Sequence, residues 1–190
     1  MNIMDNNLRE VEQLIMESDF DPAGGNPEKS LKADVMENYV EQLLSAIDLR
    51  QLKPYKVVAN TVNATAGPVI NALEKKLPFD IVKVHNVFDR SFPNGVPDSN
   101  DQAMRDYTAA AVREQEADMG VLWDLDFGRC CLFDEKGEVI EGECKTRGML
   151  VWILVLALLA KSDCRTVSEL LPDRSFCFEK LVESLKQLSK

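Results

Sequence analysis

Hydrophobic and polar residues alternate along this chain with two different periods. Apolar residues three and four positions apart, the spacing of an amphipathic helix, run through Asn6–Ser18, Ser30–Ile47 and Asp101–Gln115. Short apolar runs typical of buried strands occupy five further segments: Lys56–Asn60, Asp80–His85, Met119–Trp123, Cys131–Phe133 and Glu138–Ile140. The last two are predicted to form a hairpin. This order of strands and helices predicts an α/β fold with a mixed sheet flanked by helices.

Two details of these helices follow from the same spacing. Ser30 is the predicted N-cap of its helix, because a hydroxyl there can accept a hydrogen bond from a free backbone N–H. In the helix over 101–115, four residues are expected to face the core: Met104, Tyr107, Ala111 and Val112.

The C-terminal part of the chain predicts extra helices. Met149–Ala160 is an unbroken apolar run of twelve residues, shorter than the roughly 20 residues that span a bilayer, and it predicts a buried helix. Arg174–Lys190 predicts one amphipathic helix whose inner side carries Phe178, Leu181, Val182, Leu185 and Leu188. Because a helix as apolar as the first needs a cover on every side, we expect it to pack on the rest of the chain or on a second copy, by self-association.

Three regions are predicted from these patterns. Residues 1–29 form an N-terminal helix and a linker rich in Gly and Pro, 30–142 form the sheet domain, and 143–190 form the C-terminal helices.

Charge and cysteine content narrow the functional classes. With 22 basic and 32 acidic residues the net charge is −10, which repels nucleic acid and anionic membrane surfaces, so neither is an expected partner. The five cysteines are an odd number without a Cys-x-x-Cys pair, as in reduced intracellular proteins, and no apolar signal region opens the chain. We therefore expect a cytoplasmic protein.

The candidate chemistry lies in the acidic loop, Asp124–Arg129, which follows the apolar run Met119–Trp123. Asp124 and Asp126 are two positions apart, so both carboxylates can converge on one cation in a turn. Oxygen ligands of this kind suit a hard ion such as Mg²⁺. The alternative is that both acids are solvated turn residues. The lone histidine, His85, ends a predicted strand and receives no role.

The acidic loop resembles the metal loop of the phosphohexomutases, the phosphomannomutase and phosphoglucomutase family, whose pattern is Asp-Gly-Asp-x-Asp-Arg. Asp124 and Asp126 match two of the three metal aspartates, and Gly128 stands at the third position. Arg129 matches the arginine of the motif. The resemblance implies a Mg²⁺ site on Asp124 and Asp126 that lacks one carboxylate.

Two more segments resemble the same family. Phe92–Pro97 resembles its Phe-Pro-Asn-Gly-x-Pro stretch. The segment after the first strand resembles its Gly-Asn-Gly-x-x-Gly turn, with Val62 and Ala64 at the first two glycine positions and Gly67 at the third. Because glycine tolerates positive φ, these replacements are expected to strain or reshape the turn. The turn is an anion site in principle, and simple packing between strand and helix is the alternative.

The resemblance implies the second domain of a phosphohexomutase joined to a remnant of the third, carried by Gly148–Trp152 and Thr166–Leu170. The first and fourth domains, with the family's phosphoserine and phosphate-binding loops, are expected to be absent. This favours a phosphomannomutase-like protein of mannose phosphate metabolism without independent mutase activity. The alternatives are an active or split phosphomannomutase that acts on sugar phosphates, with another chain supplying the missing domains, and a non-catalytic interaction module.

Overall fold

The computed structural model describes the chain over residues 3–17, 34–45, 47–143 and 147–188. Contacts divide the chain into two compact units, Met1–Asp34 and Val35–Lys190. The described part of the first unit is helix α1 (Ile3–Glu17), which confirms the helix predicted there. The predicted cap Ser30 and the linker before it lie outside the described residues.

A six-stranded mixed sheet forms the centre of the second unit, with the strand order β2-β1-β3-β4-β5-β6. Its strands are β1 (Lys56–Asn60), β2 (Asp80–Val84), β3 (Met119–Trp123), β4 (Cys130–Phe133), β5 (Val139–Glu143) and β6 (Ser175–Cys177). β1 pairs in parallel with β2 and β3, the strands β3, β4 and β5 pair antiparallel, and β6 runs parallel to β5. The predicted mixed sheet and its hairpin are confirmed.

Helices lie against both faces of this sheet. They are α2 (Met36–Leu44), α3 (Ala66–Leu73), α4 (Gln102–Glu114), α5 (Gly148–Lys161), α6 (Val167–Leu170) and α7 (Phe178–Gln187), with a 3₁₀ turn at Leu49–Gln51. Successive residues of a strand point to opposite faces. Val57 and Ala59 accordingly belong to the core beneath α3 and α5, whereas Val58 belongs to the smaller core beneath α4. The fold is therefore a layered α/β structure.

Helix α5 is the most deeply buried element. Its residues from Val151 to Leu159 are all buried, and the Trp152 ring contacts those of Phe79 and Trp123 at centroid distances of 5.8 and 6.2 Å. The sheet, α6, α7 and the 3₁₀ turn all contact this helix. Other elements of the same chain thus bury the apolar surface of α5, as one of the two predicted alternatives required. Self-association stays a prediction. None of the described helices is long and apolar enough to cross a membrane.

The predicted boundary between residues 142 and 143 falls inside β5. In addition, α5, α6 and α7 belong to the same compact unit as the sheet. By their contacts, the C-terminal helices pack together with the sheet. The predicted division into residues 30–142 and 143–190 stays a prediction.

The single helix predicted over Arg174–Lys190 is wrong at its start. Ser175–Cys177 is instead strand β6, held next to β5 by the Glu141 N–H, which donates to the Arg174 carbonyl at 2.8 Å. The ring of Phe176 lies over Gly142, where an added Cβ would come within 2.3 Å of it. Leu188, placed on the inner side by the helical spacing, is 51% exposed.

The inner face predicted for α4 is wrong at Tyr107, which is 53% exposed. Thr108, Ala109 and Val112 are the buried residues of this helix. The hydroxyl of Thr108 accepts a hydrogen bond from the Asn60 side chain at 3.0 Å, so a small polar residue takes the position next to the sheet. Tyr107 stacks on His85 with ring centroids 5.0 Å apart.

Close contact between α4 and β3 depends on Gly120, because a Cβ at this position would lie 2.4 Å from Cγ2 of Val112. We expect Gly120→Ala to lower the free energy of unfolding by about 1–3 kcal/mol through overpacking. Urea unfolding measures this loss. In Gly120→Ala/Val112→Ala the clashing methyl group is gone, so the double variant should lose less stability than the sum of the single variants; strictly additive losses would contradict the contact.

Candidate functional site

Three loops meet at the edge of the sheet where the parallel strands β1, β2 and β3 end. The Thr65 hydroxyl of the loop after β1 donates to the Leu125 carbonyl of the acidic loop at 2.7 Å. In the segment after β2, the Asn94 amide donates to the Asn63 side-chain oxygen at 2.7 Å. Ligands of open α/β sheets bind at this edge, so the structure places the sequence-predicted motifs together at one candidate site.

Asp124 is the buried carboxylate of the acidic loop, with 5% of its surface exposed. Its Oδ2 accepts a hydrogen bond from Arg129 Nε at 2.8 Å, and its Oδ1 accepts one from the Arg129 backbone N–H at 3.2 Å. The Asp124 N–H in turn donates to the Arg129 carbonyl at 3.3 Å. The first and last residues of the loop therefore close on each other, and Arg129 contacts both oxygens of this carboxylate.

Asp126 is exposed and makes a different contact. Its Oδ1 accepts a hydrogen bond from the Gly128 N–H at 2.9 Å, a local side-chain-to-backbone turn of the kind that aspartate favours. Phe127, between Asp126 and Gly128, has a φ of 49° and donates its N–H to the Asp124 carbonyl at 3.2 Å. The two acids thus make separate contacts within one tight loop.

Arg129 is the positive centre of this site. Its hydrogen bond and attraction to Asp124 raise the pKa of the guanidinium, and the charges of Asp98 and Asp126 raise it further. Asp98 was not among the predicted site residues. The signal in the sequence was its position directly after Phe92–Pro97, the segment that resembles the family. In the structure, Asn94 of that segment is bonded to the same edge of the sheet. Arg129 therefore lies in the field of three carboxylates.

These residues do not fit a magnesium site as they stand. Mg²⁺ requires near-octahedral oxygen ligands, but both oxygens of Asp124 accept hydrogen bonds from Arg129, and Gly128 offers no side chain. Across the part of the chain that the structure describes, no group of three or more His, Cys, Asp or Glu side chains is placed to hold a metal ion. The assignment of Asp124 and Asp126 as metal ligands stays a prediction that this geometry does not favour.

Gly148, the first residue of α5, holds the acidic loop in place through backbone contacts. The sequence did not indicate this interaction. The Gly148 N–H donates to the Gly128 carbonyl at 3.0 Å, and the Gly148 carbonyl accepts from Trp123 Nε1 at 3.0 Å. A Cβ on Gly148 would lie 2.8 Å from the Phe127 carbonyl oxygen. Only glycine therefore permits this approach of helix to loop.

The loop after β1 keeps a backbone that suits glycine. Val62 has a φ of 45° and Asn63 one of 59°, both in the left-handed region that β-branched residues strongly avoid. Val62 therefore has the positive φ that suits glycine, whereas the φ of Ala64 is not positive, and strain at Val62 stays a prediction. Asn63 holds the loop in place, since its N–H donates to the His85 carbonyl at 2.6 Å and its side-chain amide to the Val87 carbonyl at 2.7 Å.

The start of α3 favours packing over anion binding. Gly67 lies against the backbone of Asn86, whose carbonyl oxygen would be 2.3 Å from an added Cβ. Pro68 has no N–H, and the Thr65 hydroxyl is already bonded to the acidic loop. His85 is structural as well: its carbonyl accepts hydrogen bonds from two loop residues, and burial lowers the pKa of its imidazole.

A comparison with protein families now adds to this geometry. Residues 37–137 match the model described as phosphoglucomutase/phosphomannomutase, alpha/beta/alpha domain II. The chain belongs to the phosphoglucomutase/phosphomannomutase family. The matched region runs from α2 to the turn between β4 and β5 and so contains all three loops of the candidate site.

Relatives from bacteria agree with this membership. The chain is 38% identical over 164 residues to a phosphomannomutase of Escherichia coli, with 83% of this chain and 35% of the relative covered. It is 42% identical over 166 residues to a phosphomannomutase of Vibrio cholerae serotype O1, with 84% and 34% covered. The chain spans about a third of the length of these relatives.

A solved structure shows the same fold. A phosphoglucomutase/phosphomannomutase family protein of Burkholderia thailandensis superposes with a TM-score of 0.62 at 23% identity, covering 88% of this chain and 32% of that one. At this identity the likeness concerns the fold alone, and it confirms the mixed sheet flanked by helices.

The left-handed backbone at Val62 gives a stability test. An L-residue pays roughly 1–2 kcal/mol in this conformation and glycine does not. We expect Val62→Gly to be more stable than Val62→Ala by about 1 kcal/mol, although it removes one more carbon atom. Chemical denaturation of both variants measures the difference.

Val58 is the matched control, because it is fully buried in the same core cluster but lies in strand β1. There the ordinary order should hold, with Val58→Gly less stable than Val58→Ala by about 0.5–1 kcal/mol. If the glycine variant were less stable than the alanine variant at both positions, Val62 would carry no strain.

Proposed function

We propose that this chain is a phosphomannomutase-like domain of carbohydrate metabolism, concerned with mannose phosphate and sugar-nucleotide precursors, that has no mutase activity by itself. The observation that carries the proposal is the closed pair of Asp124 and Arg129, with Nε and Oδ2 2.8 Å apart. We also propose a cytoplasmic location, which the cysteine usage supports.

The pair matters because it neutralises the buried acid from within the chain. A carboxylate that is taken out of water needs a partner of opposite charge. Arg129 provides that partner through two hydrogen bonds to Asp124, and its guanidinium stays charged at any physiological pH. The buried charge of Asp124 is therefore already paired with a cationic side chain of the same loop.

The second argument for this proposal concerns the nucleophile of phosphoryl transfer. Covalent phosphoryl transfer needs a hydroxyl or carboxylate that an adjacent base or a metal activates. The phosphoserine loop of the resembled family carries the pattern Thr-Ala-Ser-His-Asn-Pro. In this chain the single histidine, His85, follows Val84, so no Ser-His pair occurs in these 190 residues. Its ring packs against that of Tyr107, with the centroids 5.0 Å apart.

A second candidate is an active or split phosphomannomutase acting on sugar phosphates, in which another chain supplies the remaining parts. Identities of 38–42% over 73–84% of this chain to bacterial phosphomannomutases favour it. In that case the candidate site forms one wall of the catalytic cleft. The activity of the purified chain separates the two proposals.

We expect the purified chain to show no turnover of mannose 1-phosphate above background in a coupled assay with Mg²⁺ and a sugar bisphosphate activator. The Escherichia coli phosphomannomutase is the positive control for the coupling enzymes. Turnover that rises in proportion to the chain and disappears in Asp124→Asn would refute the inactive domain and favour the second candidate.

The acidic loop can be tested by restoring the missing carboxylate. Gly128 does not lie in the left-handed region, so aspartate is compatible with its backbone, and a Cβ there would be 3.0 Å from Oδ1 of Asp126. The new carboxylate would lie next to that of Asp126, and neighbouring carboxylates repel each other unless a cation lies between them. We expect Leu125→Gly/Gly128→Asp to bind Mg²⁺ at least about tenfold more tightly than the parent chain, by calorimetry.

Leu125→Gly/Gly128→Asn is the matched control, because asparagine has the shape of aspartate without its charge. It should bind Mg²⁺ no better than the parent. If the parent chain binds Mg²⁺ as tightly as the aspartate variant, the loop closed by Arg129 does not describe the molecule in solution.

A further inference from the structure

A cavity of about 450 Å³ opens at the edge of the sheet where the three loops meet. Each loop contributes one side chain to it: Thr65 after β1, Phe88 after β2 and Phe127 of the acidic loop. The starts of α2 and α3 complete the lining with Val35, Met36, Tyr39, Pro68 and Val69. We call this cavity the aromatic pocket, after its three rings. Its volume lies in the range of roughly 300–1,000 Å³ that is typical of sites for small molecules.

The three rings give the pocket its chemical character. The ring centroids of Tyr39 and Phe127 are 6.3 Å apart and their planes are inclined at 54°, so neither ring fully covers the face of the other. Phe88 is 44% exposed. Burial raises the pKa of the Tyr39 hydroxyl, so this ring stays a neutral phenol. The face of an aromatic ring carries partial negative charge and attracts cations.

The same lining offers little to an anion. None of its eight side chains is basic, and Pro68 has no N–H at the start of α3. The Thr65 hydroxyl donates to the Leu125 carbonyl at 2.7 Å, which leaves the Tyr39 hydroxyl as the donor among the lining side chains. A phosphate group, which binds best to charged donors, is therefore poorly matched to this pocket.

Acidic residues are next to the lining along the chain. Glu37, Asp89 and Asp126 are exposed, and each is directly bonded in sequence to a lining residue. No lysine or arginine occupies such a position, and the two bases that come two residues away are Arg90 and Arg129. Of these, Arg129 is paired with the buried carboxylate of the acidic loop. On a chain with a net charge of −10, the field at this edge favours a cation.

We propose that the aromatic pocket binds an organic cation that carries a quaternary ammonium group. The methyl groups of this head contact the rings of Tyr39, Phe88 and Phe127, and the exposed acids beside the pocket attract its charge. A metal ion is a poorer match, because the lining carries no carboxylate. A neutral apolar ligand would gain nothing from the acids. The proposal requires neither activity nor inactivity of the acidic loop, so its failure would leave the proposed function untouched.

Choline is the probe for this proposal. Its uncharged counterpart is 3,3-dimethylbutan-1-ol, which has the same shape with carbon in place of nitrogen. In an NMR titration of the whole chain we expect choline to bind saturably with one molecule per chain, at least about fivefold more tightly than the alcohol. Equal or tighter binding of the alcohol, or no saturable binding of choline, would overturn the proposal.

Phe88→Leu tests the rings, because leucine keeps an apolar side chain and removes the aromatic face. It should weaken choline binding about threefold to tenfold and affect the alcohol less. Tyr107→Leu is the matched control, since Tyr107 is 53% exposed and does not line the pocket; it should leave choline binding unchanged. Circular dichroism checks that both variants are folded. Equal losses in the two variants would contradict binding in the aromatic pocket.

Asp89→Asn/Asp126→Asn tests the acids, because asparagine keeps the shape of aspartate without its charge. This double variant should weaken choline binding about threefold or more and leave binding of the alcohol unchanged. Asp163→Asn/Asp173→Asn makes the same change in net charge at exposed positions outside the lining, and it should have a smaller effect. If both double variants lost the same affinity, choline would respond to the net charge of the chain and the proposed site would be wrong.

Discussion

The burial of α5 against the sheet is the constraint on which the rest of this structure depends. A helix that is apolar on all sides cannot face water, and here the sheet, α6, α7 and the 3₁₀ turn surround it. The edge-to-face contact of Trp152 with Trp123, at an interplanar angle of 82°, joins the helix to the strand that leads into the acidic loop. The packing of the core and the shape of the site are therefore linked.

Gly148 makes that link directly. As the first residue of α5 it accepts a hydrogen bond from Trp123 and donates one to Gly128. Any side chain here would meet the loop backbone at 2.8 Å. The position of the acidic loop is thus set by the same helix that fills the core.

Within the site, the charge of the buried Asp124 is neutralised by a side chain. Arg129 lies in the field of Asp124, Asp98 and Asp126, and only Asp124 is held by it in a short ion pair. The neighbouring loop holds a valine in a conformation that suits glycine, because Val62 has a φ of 45°. Tertiary contacts through Asn63 and His85 hold this loop in place and offset the local cost.

Much of the fold followed from local patterns. The strands β1 and β3 begin and end at the residues where their apolar runs predicted them, and the acidic loop lies at the end of β3 as expected. These features depend on neighbours in sequence, because a run of β-branched and apolar residues specifies an extended, buried segment by itself.

Contacts between distant residues were decided only by the tertiary structure. Ser175–Cys177 is a strand because it pairs with β5. Tyr107 points outward because Thr108, next to it in α4, is bonded to Asn60 of the sheet. Gly120 permits the close approach of α4 to the sheet. The nearness of Asp98 to Arg129 and the contact of Gly148 with the acidic loop likewise depend on how the chain returns on itself. Sequence determined which residues could carry charge at this edge, and packing determined which of them met.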